Sequence, residues 1–318
     1  MMNKTAITDF VLSGLSTRQP EYEGLLFSLF LSIYLLTLLG NVLIILLILS
    51  DAHLFHLPMY IFLSHLSLVD ICFSSATTPK MLQMLLSKTK TISYTGCLMQ
   101  LYFFVALGNA DSFLLASMAY DHYVAICFPL HYATVMSRKH CLQLVAGSWL
   151  VPCLHSLLQT LMASQHSFCT SLEIPHFFCD LRELLSLSCS DVSIHQLIIL
   201  TKGACVSLSP FVCILLSYAQ ILSSIIRIPS THGKYKAFST CGSHLITVAL
   251  YFGAIMGVYF QPSSHGGQAS AGNMVASVIF MVIAPMLNPV IYSLRNNEVK
   301  NAMKRAHGKM TRKCWVWG

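Results

Sequence analysis

Three side chains of fixed charge, Asp70, Asp111 and Lys202, stand inside long apolar runs of this 318-residue chain. A charge in hydrocarbon is costly and by default marks function. Two carboxylates facing each other cannot both stay ionised without a cation. If Asp70 and Asp111 meet, they therefore hold an ion such as sodium or share a proton; the alternative is a neutral, hydrogen-bonded acid that ties helices together. Lys202 turned inward would favour a carboxylate or attract a carbonyl oxygen such as an aldehyde's. Turned outward, its stem would carry the ammonium back to the lipid headgroups. The run His176-Phe177-Phe178-Cys179-Asp180 offers imidazole, thiolate and carboxylate, donors that suit copper or zinc. A disulfide at Cys179 would remove the thiolate, and no metal is expected. His65, His155 and His244 read as satisfied polar residues within apolar segments. No nucleotide loop, nucleophile elbow or metal-spaced histidine pair is visible, so the chain does not read as an enzyme.

The elements that must position these groups are membrane helices. Hydrophobic residues make up 55% of the chain and charged ones 10%, against roughly 45–50% and about 25% in soluble domains. A transmembrane helix needs roughly 20 mainly apolar residues. Such runs fall near 25–49, 57–79, 98–120, 141–163, 197–226, 244–262 and 273–293. The expected fold is all-α and integral to the membrane: a seven-helix bundle over 25–293, after an N-terminal segment 1–24 and before a tail 294–318. The connections after spans two and four carry few Lys or Arg. The other loops and the tail hold Arg138, Lys139, Arg227, Lys234, Lys236, Arg295, Lys300, Lys304, Arg305, Lys309, Arg312 and Lys313. By the positive-inside rule these lie in the cytoplasm and the N-terminus outside. The acceptor triplet Asn3-Lys4-Thr5 agrees with that, with Asn3 as the glycosylation site. No short apolar core with a cleavage site precedes the first span, which is expected to act as an uncleaved anchor. The net charge of +7 gathers where an anionic cytoplasmic leaflet would attract it, and no nucleic-acid module is visible.

Ordered motifs run along nearly the whole chain. They are Gly40-Asn41, Leu57-Pro58-Met59-Tyr60, Met118-Ala119-Tyr120-Asp121-His122-Tyr123-Val124-Ala125-Ile126-Cys127, Ser217-Tyr218, Lys236-Ala237-Phe238-Ser239-Thr240-Cys241, and Pro285-Met286-Leu287-Asn288-Pro289-Val290-Ile291-Tyr292. In this ordered set the chain resembles the olfactory branch of the rhodopsin-like, G-protein-coupled receptors. Absences agree. Span six has no Trp or internal Pro, span seven has no Lys for a retinal Schiff base, and Leu101 to Leu107 contain no Asp for an amine ligand.

The resemblance implies an odorant receptor in the plasma membrane, with its N-terminus outside and a short cytoplasmic amphipathic helix after the seventh span. It would take a small, volatile, mostly apolar ligand within the bundle and activate a stimulatory G protein of the olfactory type, raising cyclic AMP. Its partners would be the odorant, that G protein and membrane lipid. It places Asp70, Asp111 and Asn288 around the centre where such receptors hold sodium. It makes Asp121, His122, Tyr123, Tyr218, Asn288, Pro289 and Tyr292 the switch and coupling residues. It pairs Cys97 with Cys179 and Cys169 with Cys189, one of three connectivities open to four cysteines.

Helical spacing sets Phe104, Gly108 and Ser112 on one stripe of span three, with Val105 and Asn109 beside them. In span six Phe252, Ile255, Met256 and Tyr259 share a face. The resemblance turns both stripes toward the ligand, with Lys202, Cys205 and Val206 from span five; the plainer reading of several is helix packing. His122 departs from the family pattern, which has Arg there. Arg is permanently charged with a five-donor fork, whereas His is mostly neutral at cytosolic pH, so weakened coupling is expected. The other readings are a receptor-like protein that signals poorly, a non-olfactory rhodopsin-like receptor, and a transporter. A transporter would often show related halves and broken helices, and neither is visible.

Overall fold

Lipid offers no hydrogen bonds, so an apolar segment crossing it must satisfy its backbone internally and folds as a helix. The computed structural model describes residues 9–13, 21–87, 89–168, 172–259, 271–295 and 298–305. Seven helices in it are long and apolar enough to cross a membrane. They are α1 (Glu21–Ser50), α2 (Pro58–Leu86), α3 (Tyr94–Cys127), α4 (Arg138–Ser164), α5 (Ser193–Arg227), α6 (Thr231–Tyr259) and α7, which runs through Ala271–Val278, Ile279–Ile283 and Ala284–Arg295. All seven fall on the apolar runs but most extend past them. At 34 residues α3 is about 51 Å long, well beyond a hydrocarbon core of roughly 30 Å.

Local chemistry fixes the helix starts. Ser93 Oγ accepts from Gly96 N at 3.1 Å at the head of α3, and Ser137 Oγ accepts from His140 N at 3.4 Å at the head of α4. Pro58 opens α2, where its missing N–H costs nothing. Two stretches, Ile199–Gly203 in α5 and Ile279–Ile283 in α7, are wound as π-helix.

The bundle centres on α3, which packs against α2, α4 and α5, while α1 and α6 both lie against α7. The outward faces are apolar: Leu25, Leu29, Leu36 and Leu39 of α1 and Leu150, Leu154 and Leu161 of α4 are exposed. A soluble protein could not carry that surface, but lipid can. Close helix contact needs small residues. A Cβ on Gly40 would stand 3.2 Å from the Pro289 ring, and one on Gly257 only 2.9 Å from Ala276 Cβ, so these glycines let α1 and α6 approach α7.

A small sheet unites distant segments at one end of the bundle. Strand β1 (Asp9–Leu12) runs antiparallel to β2 (Thr91–Ser93), with Phe10 opposite Ile92, and parallel to β3 (Glu173–Ile174), with Leu12 opposite Ile174. It buries Phe10 and Leu12 completely. At the opposite end a short helix α8 (298–305) follows α7 and buries Val299 and Ala302 while Glu298, Asn301, Lys304 and Arg305 stay exposed. Arg305 Nε donates to Asp51 Oδ2 at 2.8 Å. That guanidinium holds the Asp51 carboxyl below its ordinary range.

Candidate functional site: a polar centre, a histidine link and an aromatic cluster

The polar centre is where the buried charges of the sequence meet. Asp70 from α2 is 1% exposed and Asp111 from α3 is 9% exposed. Asn288 Nδ2 of α7 donates to Asp70 Oδ2 at 2.9 Å. Asp111 lies close enough to Asp70 for the two carboxyls to interact, and Asp111 Oδ1 is buried with no hydrogen-bond partner. Beside this group Asn41 Nδ2 donates to Pro285 O at 3.1 Å and to Thr37 O at 3.0 Å, tying α1 to the carbonyl that precedes the Asn288-Pro289 turn. Three helices thus converge on acceptor oxygens that outnumber their donors.

Lower in the bundle, away from the sheet, lies the Asp121-His122-Tyr123 segment. Asp121 Oδ1 accepts from the Tyr132 hydroxyl at 2.7 Å. Burial, and then that carboxylate, push the Tyr132 phenol well above its ordinary range. His122 is 3% exposed. Its Nδ1 lies 4.0 Å from Asp121 Oδ2, and its ring meets His244 of α6 edge to face at 5.4 Å. His244 Nε2 is 2.9 Å from Leu115 O. A carbonyl can only accept, so Nε2 carries the proton and Nδ1 takes the Tyr218 hydroxyl at 2.8 Å. One imidazole therefore joins α3, α5 and α6. Tyr292 is buried at 1% exposure, Tyr123 half-buried, and Pro289 sits inside α7 against Gly40.

Toward the sheet end the interior is aromatic. Phe104 stacks on Phe73 at 5.6 Å and touches Phe178 at 4.8 Å and Phe280 at 6.0 Å. The Tyr251 hydroxyl donates to Gly108 O, joining α6 to α3. A Cβ on Gly108 would meet Phe280 and Phe73 at 3.7 and 3.8 Å. Asn109 and Ser112 bond within their own helix, and Ser207 Oγ donates to Asn109 Oδ1 at 3.2 Å. Phe252 is half-buried and packs on Phe211 at 4.8 Å.

Of the span-three stripe, Phe104 and Ser112 are buried and Val105, Gly108 and Asn109 half-buried; in α6 Ile255 is half-buried and Met256 exposed. Val206 is half-buried, whereas Lys202 and Cys205 are exposed. Lys202 lies within the π segment. The Tyr259 side chain, Asn3 and Cys169 fall outside the described residues. Sequence reasoning missed Phe73, Phe178, Tyr251 and Phe280. Phe178 carries a usable signal, because it precedes a cysteine that bonds to the head of α3.

That bond is Cys97–Cys179, with Cα atoms 5.5 Å apart. Gln100 braces it: its Oε1 accepts from Cys179 N at 3.0 Å and its Nε2 donates to Ala76 O at 3.3 Å. Cys189 is also disulfide-bonded. His176 is buried, with Nδ1 accepting from Phe177 N at 3.1 Å and Nε2 3.3 Å from Ser277 Oγ. Burial lowers its pKa from 6.5 to about 4. Among the described residues no three His, Cys, Asp or Glu side chains gather as a metal site.

Seven apolar helices around a buried acid pair, with a loop disulfide clamped onto the third helix, define a multi-pass membrane protein of the seven-helix receptor class. The olfactory receptor family profile matches residues 30–309. Olfactory receptor 1J1 of Mus musculus is 52% identical over 311 residues, covering 98% of both chains. Its Homo sapiens namesake is 52% identical over 303 residues, 95% of this chain and 93% of the relative. Olfactory receptor 1f45 of Rattus norvegicus is also 52% identical over 303 residues, 95% of this chain and 96% of the relative. The chain belongs to the olfactory receptor family, a family of receptors and not of enzymes.

Proposed function

We propose that this odorant receptor takes a small, mostly apolar volatile among Phe104, Gly108, Tyr251 and Phe252 and passes the signal to a stimulatory G protein of the olfactory type, raising cyclic AMP. The supporting observation is that α3 and α6 are joined at two levels, by Tyr251 to Gly108 O and by His244 to Leu115 O. A ligand shifts an equilibrium only through a difference in affinity between states. One that competes for the upper tie favours an arrangement in which α6 moves off α3, and the lower tie then breaks. Tyr218 would give up His244 as it does, and the buried Tyr292 hydroxyl, which has no hydrogen-bond partner here, would gain one, with Pro289 loosening the ladder of α7.

In this reading the sheet end faces outward from the plasma membrane, and α8 with its Lys and Arg faces the cytoplasm. Asp70, Asp111 and Asn288 would hold a sodium ion at rest. The donor-poor acceptors around Asp111 fit a cation, and the ion's charge would let both carboxylates stay ionised. Exposed Lys202 fits the snorkelling role, with no part in ligand choice.

The second reading, a receptor with weak coupling, is favoured by the burial of His122 against His244. Wild type and His122→Arg are compared in a cyclic AMP assay against a mixed odorant panel, with the olfactory stimulatory G protein and surface staining. The expected result is a weak wild-type response and a larger one from His122→Arg. Equal responses would remove the coupling defect. Silence from both at normal surface staining would count against this pathway.

A further inference from the structure

A pair of histidines unused by the receptor reading lies at the sheet end, between the loop after α4 and the head of α5. His166 Nε2 is 3.0 Å from His195 Nδ1, and the two rings lie nearly parallel, at 7°. His195 Nε2 is 3.0 Å from Gln159 Oε1 of α4, and His166 Nδ1 is 2.9 Å from Ser190 Oγ. His195 and Gln159 are each 2% exposed, while His166 is half-buried and open to one side.

The partners settle where the protons are. Gln159 Oε1 can only accept, so His195 Nε2 carries a proton and its Nδ1 presents a bare lone pair. His166 Nε2–H must then donate to that lone pair, and Ser190 Oγ donates to His166 Nδ1. This is the arrangement seen around metal-binding histidines, in which an oxygen beyond the ring fixes the tautomer and aims the ligating nitrogen. Two imidazole nitrogens bound at about 2.0–2.1 Å to one ion stand about 2.8–3.0 Å apart at the right angle of tetragonal copper(II) and about 3.3–3.4 Å apart at the tetrahedral angle of zinc(II). The observed 3.0 Å meets the copper spacing, and zinc needs the rings to part by a few tenths of an ångström.

We propose that His166 and His195 form a two-histidine site for a borderline divalent ion, zinc(II) or copper(II), which suit imidazole. The ion replaces the single proton between the rings. That proton moves from His166 Nε2 to Nδ1, and the Ser190 hydroxyl turns from donor to acceptor. His195 keeps its Nε2–H on Gln159. With no third His, Cys, Asp or Glu in reach among the described residues, water completes the coordination from the open side. The bound ion staples the loop to the head of α5, independently of what the receptor detects.

The test uses the full chain purified in detergent without a polyhistidine tag. Its unfolding temperature is followed as zinc chloride, copper chloride or magnesium chloride is added. A ligand that binds only the folded state raises this temperature by mass action. Zinc or copper is expected to raise it and a chelator to reverse the rise, with magnesium inert. His166→Gln and His195→Gln should each abolish the response, and His176→Gln and His155→Gln should keep it. An unresponsive wild type, or a response that survives in His166→Gln, would overturn the proposal. If His195→Gln fails to fold, His166→Gln at its half-exposed position carries the test. The copper(II) paramagnetic resonance spectrum provides a second measure: hyperfine splitting from two nitrogens is expected, and its persistence in His166→Gln would equally sink the site.

Discussion

At the polar centre one hydrogen bond separates a satisfied acid from an orphaned one. Asn288 gives its amide to Asp70, and no donor reaches Asp111 Oδ1. Asn288→Leu leaves a second buried carboxyl without its donor, at a cost of about 1–3 kcal/mol. The unfolding temperature in detergent is expected to fall, and added sodium should stabilise this variant less than wild type. An unchanged temperature would mean that Asp70 finds another donor when Asn288 is gone. Asp70, Asp111 and Asn288 were legible in the sequence because charge is so rare in apolar runs that its few positions stand out. The His122–His244 contact was not. It joins helices more than a hundred residues apart, and neither ring has a periodicity that announces the other.

Helices were legible as elements, but the phase of α5 was not. A 3.6-residue projection assumes one unbroken α-helix, and a π segment adds a residue to one turn and rotates everything before it. Lys202 lies in such a segment and is exposed, while Val206 beyond it is half-buried. The three-stranded sheet left no alternation to read, because its strands are four, three and two residues long and come from distant segments. The loop that supplies β3 carries its own acid sensitivity. Burial lowers the His176 pKa from 6.5 to about 4, so between those values the unfolded loop binds the proton that the folded one refuses. Stability from this group is complete above pH 6.5 and is lost as pH falls toward 4, by up to about 3 kcal/mol. Hydrogen exchange of the loop across that range should show progressive opening. His176→Asn, which cannot titrate, should flatten the dependence, and an equally steep one in that variant would show that His176 is not the group responsible.

At the scale of the whole molecule, the Cys97–Cys179 bond decides whether the loop belongs to the bundle. It closes a sequence separation of 82 residues, which in a chain-entropy picture contributes about 4.5 kcal/mol. The real figure should be smaller, because membrane helices retain structure when tertiary packing is lost. The same covalent clamp sets Phe178 against Phe104, so aromatic cluster and loop rise and fall together. Cys97→Ser and Cys179→Ser should each lower the unfolding temperature by a similar amount, and the double variant should add almost nothing to either, since both remove one bond. Phe178→Ala keeps the bond and removes only the aromatic contact, so it should reduce the odorant response with a much smaller thermal effect. Serine variants that combine additively would show the two cysteines acting separately. A Phe178→Ala variant as unstable as the serine ones would mean that packing, not the covalent link, holds the loop down.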